Sequence, residues 1–126
     1  MRALFVHGGV SGTAKETTAS MASAFADALS AATALDAVEL AVKALEDDPA
    51  FNAGFGAVLD REGYLELDAG IAYSLAGCGG VANVQVRNPI TLARRVMEDT
   101  PHVLITGPGA LALGADLEQL ADTTDD

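Results

Sequence analysis

The residue types that do chemistry in enzymes are few in this sequence, and their spacing forms no familiar catalytic set. The two histidines, His7 and His102, lie near opposite ends of the chain and do not have a metal-binding spacing. No Gly-x-Ser-x-Gly sequence places a serine nucleophile on a tight turn. Glu66 and Asp68 share one face of a predicted strand. Their carboxylates could act as an acid–base pair, or they could simply be solvated side chains of a hairpin. The sequence therefore contains no self-evident nucleophile.

Two glycine-rich segments each follow an apolar run and precede a helical one, which is where backbone N–H groups can bind an anion. The first, residues 7–12, reads His-Gly-Gly-Val-Ser-Gly and lacks the Gly-Lys-Ser/Thr ending of a P-loop. The second, Gly107-x-Gly109-x-x-Ala112, matches a loose dinucleotide fingerprint, but no strand with an acidic end follows it. A non-catalytic anion-binding α/β module is thus one open hypothesis, and ordinary glycine turns are the simpler interpretation.

The composition excludes several classes of protein. Half of the 126 residues are hydrophobic and 20% are charged, which is the content of a folded domain rather than a disordered chain. Seven basic and 18 acidic residues give a net charge of −11, which disfavours nucleic acids and anionic membranes as partners. The single cysteine, Cys78, excludes a disulfide scaffold, and its apolar neighbours predict a buried thiol. No targeting segment is recognisable, so we expect a cytoplasmic protein.

The elements that must position these residues form a mixed α and β pattern. Met21, Phe25 and Leu29 recur at helical intervals and predict a helix with one buried face, capped by Ser11 or Thr13. Further helices are predicted over residues 34–47, 89–99 and a short run after 109. Strands are predicted over residues 3–6, 57–59, 64–68, 81–86 and 102–106, with a hairpin turn at 60–63. The wholly apolar runs 3–6 and 103–105 are expected to be buried on both faces.

The end of the second predicted helix is unusually acidic. Glu46, Asp47 and Asp48 lie at the helix C-terminus, where negative charge opposes the helix dipole. A nearby cation would explain their presence. Residues 114–126 are also acidic and contain no base, which predicts a solvated and flexible tail.

Residues 45–59, Leu-Glu-Asp-Asp-Pro-Ala-Phe-Asn-Ala-Gly-Phe-Gly-Ala-Val-Leu, resemble the most recognisable segment of plant-type L-asparaginases (isoaspartyl peptidases), which are N-terminal nucleophile hydrolases. Residues 6–9, 35–38, 66–69 and 88–102 are similar to further segments of that family, in the same order. The resemblance extends over residues 3–112. The sequence departs from the family pattern at Val10-Ser11 and at Ala72-Tyr73-Ser74, and its C-terminal linker is short.

The resemblance implies an α+β fold in which residues 1–113 form half of a four-layer αββα sandwich, completed by a separate β subunit. It implies the α subunit of an (αβ)₂ amidohydrolase that converts L-asparagine or β-aspartyl dipeptides to L-aspartate. The nucleophile would be the N-terminal Thr of the β subunit, released by autoproteolysis after Asp126. Its own α-amine, with a pKa of roughly 7.7–8.0, would act as the base. A glycosylasparaginase-like activity is an alternative within the same family.

The resemblance also implies roles for residues of this chain. Asn52 would orient the nucleophile, and Gly9 would let its loop change conformation around autocleavage. No organic cofactor is implied, but a structural Na⁺ would bind main-chain oxygens, which hard cations prefer. Its ligands would be the carbonyl groups of Leu45, Glu46, Asp48, Phe51, Ala53 and Phe55. The simpler alternatives are a turn-forming asparagine and an ordinary capped loop, and the substrate-binding residues are expected in the β subunit.

Overall fold

The computed structural model describes residues 1–9 and 14–120, and of residues 14–20 it describes the backbone alone. The chain divides into two compact units, Met1–Gly56 and Ala57–Asp126. The sequence had not indicated a division at this position. No helix among the described residues is long and apolar enough to cross a membrane.

The first unit contains two helices that pack against each other, α1 (Ala14–Leu29) and α2 (Ala34–Asp47). The hydroxyl of Thr33 accepts a 3.0 Å hydrogen bond from the Asp36 amide and so caps α2, which spans the predicted residues 34–47. The predicted caps of α1, Ser11 and Thr13, lie outside the described residues. A small core holds the unit together; its members are Met21, Leu45 and Phe51, with Val6, Phe25, Ala44 and Ala53 packed against them.

The first unit departs from the sequence prediction at the N-terminus. Residues 3–6 form no strand, and the Phe5 side chain is 94% exposed. A strand needs a neighbour to pair its backbone groups, and the described part of this unit contains no other strand. Leu29, expected on the buried face of α1, is also exposed, at its last turn.

The second unit is a three-stranded sheet with two helices. Its elements are β1 (Leu67–Tyr73), β2 (Gly77–Val84), α3 (Pro89–Asp99), β3 (Leu104–Thr106) and α4 (Gly107–Leu113). The sheet order is β1-β2-β3, with β1 antiparallel and β3 parallel to β2. The α3 helix packs on β1 and β2 and connects the two parallel strands. The third helix thus lies where Pro89 and Thr100 predicted it.

The predicted hairpin around residues 60–63 is wrong. The turn itself forms, since the Asp60 amide donates to the Tyr64 carbonyl at 2.8 Å, but residues 57–59 and 64–66 are not strands. The hairpin of this unit instead joins β1 and β2 through residues 74–76, and β2 begins four residues before the predicted residue 81. Gly77, with φ +90°, supplies the left-handed conformation that ends this turn.

One face of the sheet is covered and the other is open. A Cβ on Gly79 would lie 2.5 Å from the Met97 amide nitrogen, so α3 approaches the backbone of β2 directly. Cys78, which precedes Gly79 in β2, lies on the opposite face of the sheet and is exposed. The prediction of a buried thiol is therefore wrong. Val103 is 64% exposed and lies outside β3, and Leu104 within β3 is 57% exposed, so the apolar run 103–105 is not buried on both faces as predicted. A covering layer for this face is absent from the described residues of the unit.

Residues 114–120, where the acidic tail was expected to begin, make specific contacts. Arg95 forms an ion pair with Asp116, and Arg87 forms one with Glu118. Val86 and Gln119 form an isolated antiparallel bridge. The described part of the predicted tail is therefore attached to the sheet unit, and residues 121–126, including Asp126, lie outside the described residues.

Candidate active site

The loop that follows α2 is closed by its own backbone. The Phe55 amide donates a 2.7 Å hydrogen bond to the Glu46 carbonyl, and the Phe51 amide donates to the Asp48 carbonyl at 3.1 Å. The Asp48 carboxylate accepts from the Ala50 amide at 2.9 Å, which starts the turn after the helix. These bonds hold residues 48–55 in a compact turn against the last turn of α2.

Two glycines let this loop fold so tightly. A Cβ on Gly54 would lie 2.7 Å from the Glu46 carbonyl oxygen, and a Cβ on Gly56 would lie 2.6 Å from the Phe51 carbonyl oxygen and would also collide with Pro49. Both approaches involve backbone atoms, which cannot move aside as a side chain can. The loop backbone is therefore packed closely around these two glycines.

These carbonyl groups are the test of the predicted sodium site. Glu46 and Phe51 are two of the six predicted ligands, and their carbonyl oxygens lie close to Gly54 and Gly56. A carbonyl oxygen that already accepts one hydrogen bond, as that of Glu46 does, keeps a second lone pair. Among the described residues, no group of three or more His, Cys, Asp or Glu side chains could hold a metal ion. Main-chain oxygens are donors that suit a hard cation, and the binding of sodium to this loop stays a prediction.

The acidic end of α2 has a local explanation in part. Asp48 uses its carboxylate to cap the turn, so its position needs no cation. Glu46 is 2% exposed, and burial disfavours a charged carboxylate rather than explaining it. The carbonyl groups remain the basis of the sodium prediction.

The N-terminal glycine loop lies against this turn. A Cβ on Gly8 would approach the Phe51 ring to 2.5 Å, so the backbone of residue 8 packs directly on the buried ring. Gly9 has φ +79° and donates from its amide to His7 Nδ1 at 3.0 Å. The predicted site residues Gly9 and Asn52 are the immediate neighbours of this contacting pair. The structure thus brings their two segments together, while the roles of both residues stay predictions.

Sequence reasoning missed Phe51 as the anchor of this arrangement. Its main chain had been predicted to bind sodium, but its side chain joins the core of the first unit and supports Gly8. The available signal was the large apolar side chain of Phe51 directly before Asn52, in a loop rich in small and polar residues.

The carboxylate pair at Glu66 and Asp68 separates into two environments. Asp68 Oδ1 accepts a 3.0 Å hydrogen bond from the Asn83 amide, and Asn83, at φ +52°, is the extra residue of a β-bulge opposite Asp68. Asp68 therefore stabilises the bulge. Glu66 lines a cleft of about 300 Å³, together with Tyr64, Leu65, Asn83 and Gln85.

The second glycine segment begins a very short helix. Gly107 has φ +55°, and α4 has seven residues with no side-chain cap from Thr106. Among the described residues, no strand follows α4. The dinucleotide interpretation of this segment gains no support from the structure.

Comparison with known proteins identifies the family. Residues 3–124 match the family model described as asparaginase. The chain belongs to the asparaginase family. The family predicted from residues 45–59 is thereby confirmed, and the mixed α+β architecture agrees with it.

Individual relatives of this asparaginase-family chain match it strongly over part of its length. It is 56% identical over 80 residues to the plant-type L-asparaginase of Thermococcus kodakarensis, a match that covers 62% of this chain and 26% of that protein. It is 54% identical over 84 residues to the isoaspartyl peptidase/L-asparaginase of Homo sapiens, covering 65% of this chain and 27% of the human protein. The chain thus spans about a quarter of the length of the curated relatives it matches.

Proposed function

We propose that this chain is the α subunit of an amidohydrolase that converts L-asparagine or β-aspartyl dipeptides to L-aspartate. The observation that carries the proposal is the 56% identity to a protein named plant-type L-asparaginase. The packing of Gly8 on Phe51 supports it, because this contact joins the two segments that contain Gly9 and Asn52. A glycosylasparaginase-like activity is the alternative substrate preference.

The proposed nucleophile is the N-terminal Thr of a β subunit, freed by self-cleavage of the precursor. Its hydroxyl would attack the substrate amide carbon while its proton passes to the α-amine of the same residue. That amine would return the proton to the departing nitrogen, leaving an ester, which water would hydrolyse to release aspartate. The Asn52 amide would hydrogen-bond the threonine hydroxyl and hold it in the attacking orientation.

A structural sodium ion completes this part of the proposal. It would be held by the carbonyl oxygens of Leu45, Glu46, Asp48, Phe51, Ala53 and Phe55. When bound, the ion would supply positive charge that fixes the direction of these carbonyls. Asn52 lies between two of the proposed sodium ligands, Phe51 and Ala53. The backbone hydrogen bond from Phe55 to Glu46 closes this loop and would therefore help to fix the position of Asn52.

The four-layer sandwich and the (αβ)₂ assembly are also proposals, supported by what this chain leaves uncovered. The face of the sheet opposite α3 presents Cys78 and Leu104 to solvent. Residues 3–6 are an apolar run without a strand partner in the described part of their unit. A β subunit that packs a second sheet on the open face would bury Cys78 and Leu104. The apolar run is a separate surface that a partner would cover. A cytoplasmic location stays a prediction.

Expression of the complete coding sequence tests the proposal. The purified protein should contain two chains, one of which begins with Thr. It should be assayed with L-asparagine, a β-aspartyl dipeptide and a glycosylated asparagine, which distinguishes the alternative substrates. A protein that remains one chain, or a cleaved one that hydrolyses none of the three, would overturn the proposal.

A further inference from the structure

We propose that a cleft on the sheet unit binds the amino end of a small organic ligand, in which an ammonium group lies next to a carbonyl group, as in an amino acid amide or a short peptide. The cleft has a volume of about 300 Å³, at the lower end of pockets that hold small molecules. Its lining residues are Tyr64, Leu65, Glu66, Asn83 and Gln85, all within the second unit. The inference goes beyond the proposed hydrolase activity and does not depend on it.

A β-bulge brings two carboxamide side chains to the cleft. Val81 and Val84 are both buried, although a regular strand would bury residues that are two apart. The extra residue, Asn83, lies between them at φ +52°, so Asn83 and Gln85 both lie away from the buried face. The bulge thus interrupts the regular alternation of the strand and places two polar side chains at the same cleft.

Hydrogen bonds fix the orientation of both carboxamides. Gln85 Nε2 donates to the Leu65 carbonyl at 2.8 Å and to Asn83 Oδ1 at 3.0 Å. Leu65 is buried, so the first bond attaches Gln85 to packed backbone. These bonds use both N–H groups of Gln85, while the Gln85 oxygen and the Asn83 NH2 group have no partner among the described residues. The cleft therefore offers a ligand one oriented acceptor and one oriented donor.

The charge at the cleft favours a cationic ligand. Glu66 is exposed, and its carboxylate has no ion pair among the described residues. The described residues that line the cleft include no lysine or arginine, and the Asp68 carboxylate lies beside it on the Asn83 amide. The three N–H donors of an ammonium group suit the Glu66 carboxylate and the Gln85 oxygen, while the Asn83 NH2 group suits a neighbouring carbonyl. A metal ion fits less well, since the described part of the chain contains no group of three or more His, Cys, Asp or Glu side chains that could hold one.

Calorimetric titration of the complete protein with glycinamide, at about pH 6.5 where α-amines are protonated, tests the inference. Propionamide is the matched ligand, because it keeps the size and the carbonyl but has a methyl group in place of the ammonium. Glycinamide should bind more tightly than propionamide. Glu66→Gln keeps the shape of the side chain and removes its charge, so it should weaken glycinamide binding roughly tenfold or more. Glu62→Gln is the control variant, since Glu62 is exposed, lies outside the cleft lining and carries the same charge.

Asn83→Gly tests the contact with the ligand carbonyl. Glycine accepts the φ of +52° at this position, and loss of the NH2 group should weaken glycinamide binding severalfold. The melting temperature of each variant serves as the control for folding.

The outcomes separate this inference from the proposed function. A wild-type protein that does not bind glycinamide would overturn the inference, which is also the result expected if another chain of the complete protein fills the cleft. Equal affinity for glycinamide and propionamide, or equal weakening by Glu66→Gln and Glu62→Gln, would overturn it too, because binding would then not depend on the charge at the cleft. Unchanged affinity in Asn83→Gly would overturn the carbonyl contact. Release of L-aspartate from L-asparagine, measured on the same wild-type protein, tests the proposed function independently.

Discussion

The Phe55 amide donates a 2.7 Å hydrogen bond to the Glu46 carbonyl, and this bond ties the loop that contains Asn52 to the last turn of α2. Glu46 lies in a helix whose start is capped and whose residues Leu35, Ala41 and Leu45 are buried, so the bond connects the loop to a packed element. Gly54 lies against the same carbonyl oxygen. The geometry of the proposed site thus depends on the backbone of a few adjacent residues.

Gly54→Ala should disturb this arrangement. The new Cβ would lie 2.7 Å from the Glu46 carbonyl oxygen, which is backbone and cannot rotate away. We expect a loss of about 1–3 kcal/mol in the free energy of unfolding, typical of overpacking, together with lower activity. Gly70→Ala is the control, because the nearest atom to its new Cβ is the Gly79 carbonyl oxygen at 3.9 Å. Equal stability of the two variants in chemical denaturation would contradict the account.

Asn52→Ala should remove the proposed orienting group while the protein still folds, because the Asn52 side chain is exposed within its unit. We expect kcat to fall roughly 100-fold or more, as when a positioned hydrogen-bonding group is lost at a reaction centre. The melting temperature, measured beside the kinetics, serves as the control for folding. Wild-type turnover in this variant would reject the role assigned to Asn52.

Replacing sodium by a bulky organic cation at constant ionic strength should lower the melting temperature of the complete protein. A ligand that binds only the native state stabilises it by RT ln(1 + [L]/Kd), about 2.7 kcal/mol at a hundredfold excess over Kd. Gly54→Ala should reduce this dependence on sodium, whereas Gly70→Ala should keep it. A melting temperature that is the same in both salts would argue against the ion.

The α2 and α3 helices were predictable because residues typical of helix ends lie at their termini. Thr33 caps α2 and Pro49 follows it, while Pro89 and Thr100 bound α3, and the structure places both helices at these residues. These signals act within a few residues, so the sequence displays them directly. The asparaginase-like loop after α2 was recognisable for the same reason.

The strands were less predictable because strand pairing depends on distant residues. The apolar run at residues 3–6 has no partner within the described part of its unit and remains unpaired. The β1–β2 hairpin contains several small residues around Gly79. The close approach of Gly79 to α3 is not predictable from any local sequence pattern. The contact between Gly8 and Phe51 joins segments far apart in the chain, so it too became visible only in the folded structure.

Acid should detach residues 114–120, the C-terminal segment, from the sheet unit. Pairing with Arg95 lowers the pKa of Asp116 below its ordinary value of 3.8. A carboxyl whose pKa is depressed by folding stabilises the attached state above that ordinary value, and the contribution is lost as pH falls through the lower folded value. Amide exchange of residues 117–120 should therefore accelerate below about pH 4, relative to exchange in α3. Asp116→Asn should show fast exchange already at neutral pH, and a pH-independent pattern in the wild type would contradict the assignment.

Cys78 reports on the open face of the sheet. Its thiol is exposed in this chain, on the face opposite α3. If a second sheet covers this face in the assembled protein, the thiol should react with a water-soluble thiol reagent only after unfolding. Rapid reaction of native Cys78 in the assembled protein would show that the face stays open and would contradict the proposed sandwich.

The central claim is that the complete protein hydrolyses the amide of asparagine or of a β-aspartyl dipeptide with an N-terminal threonine. The most direct measurement is the release of L-aspartate from both substrates by the complete, purified protein, compared with a variant in which the proposed N-terminal Thr of the β subunit is replaced by Ala. The account predicts release by the wild type and none above background by the variant. Equal release by both proteins, or no release by a fully cleaved wild type, would contradict it.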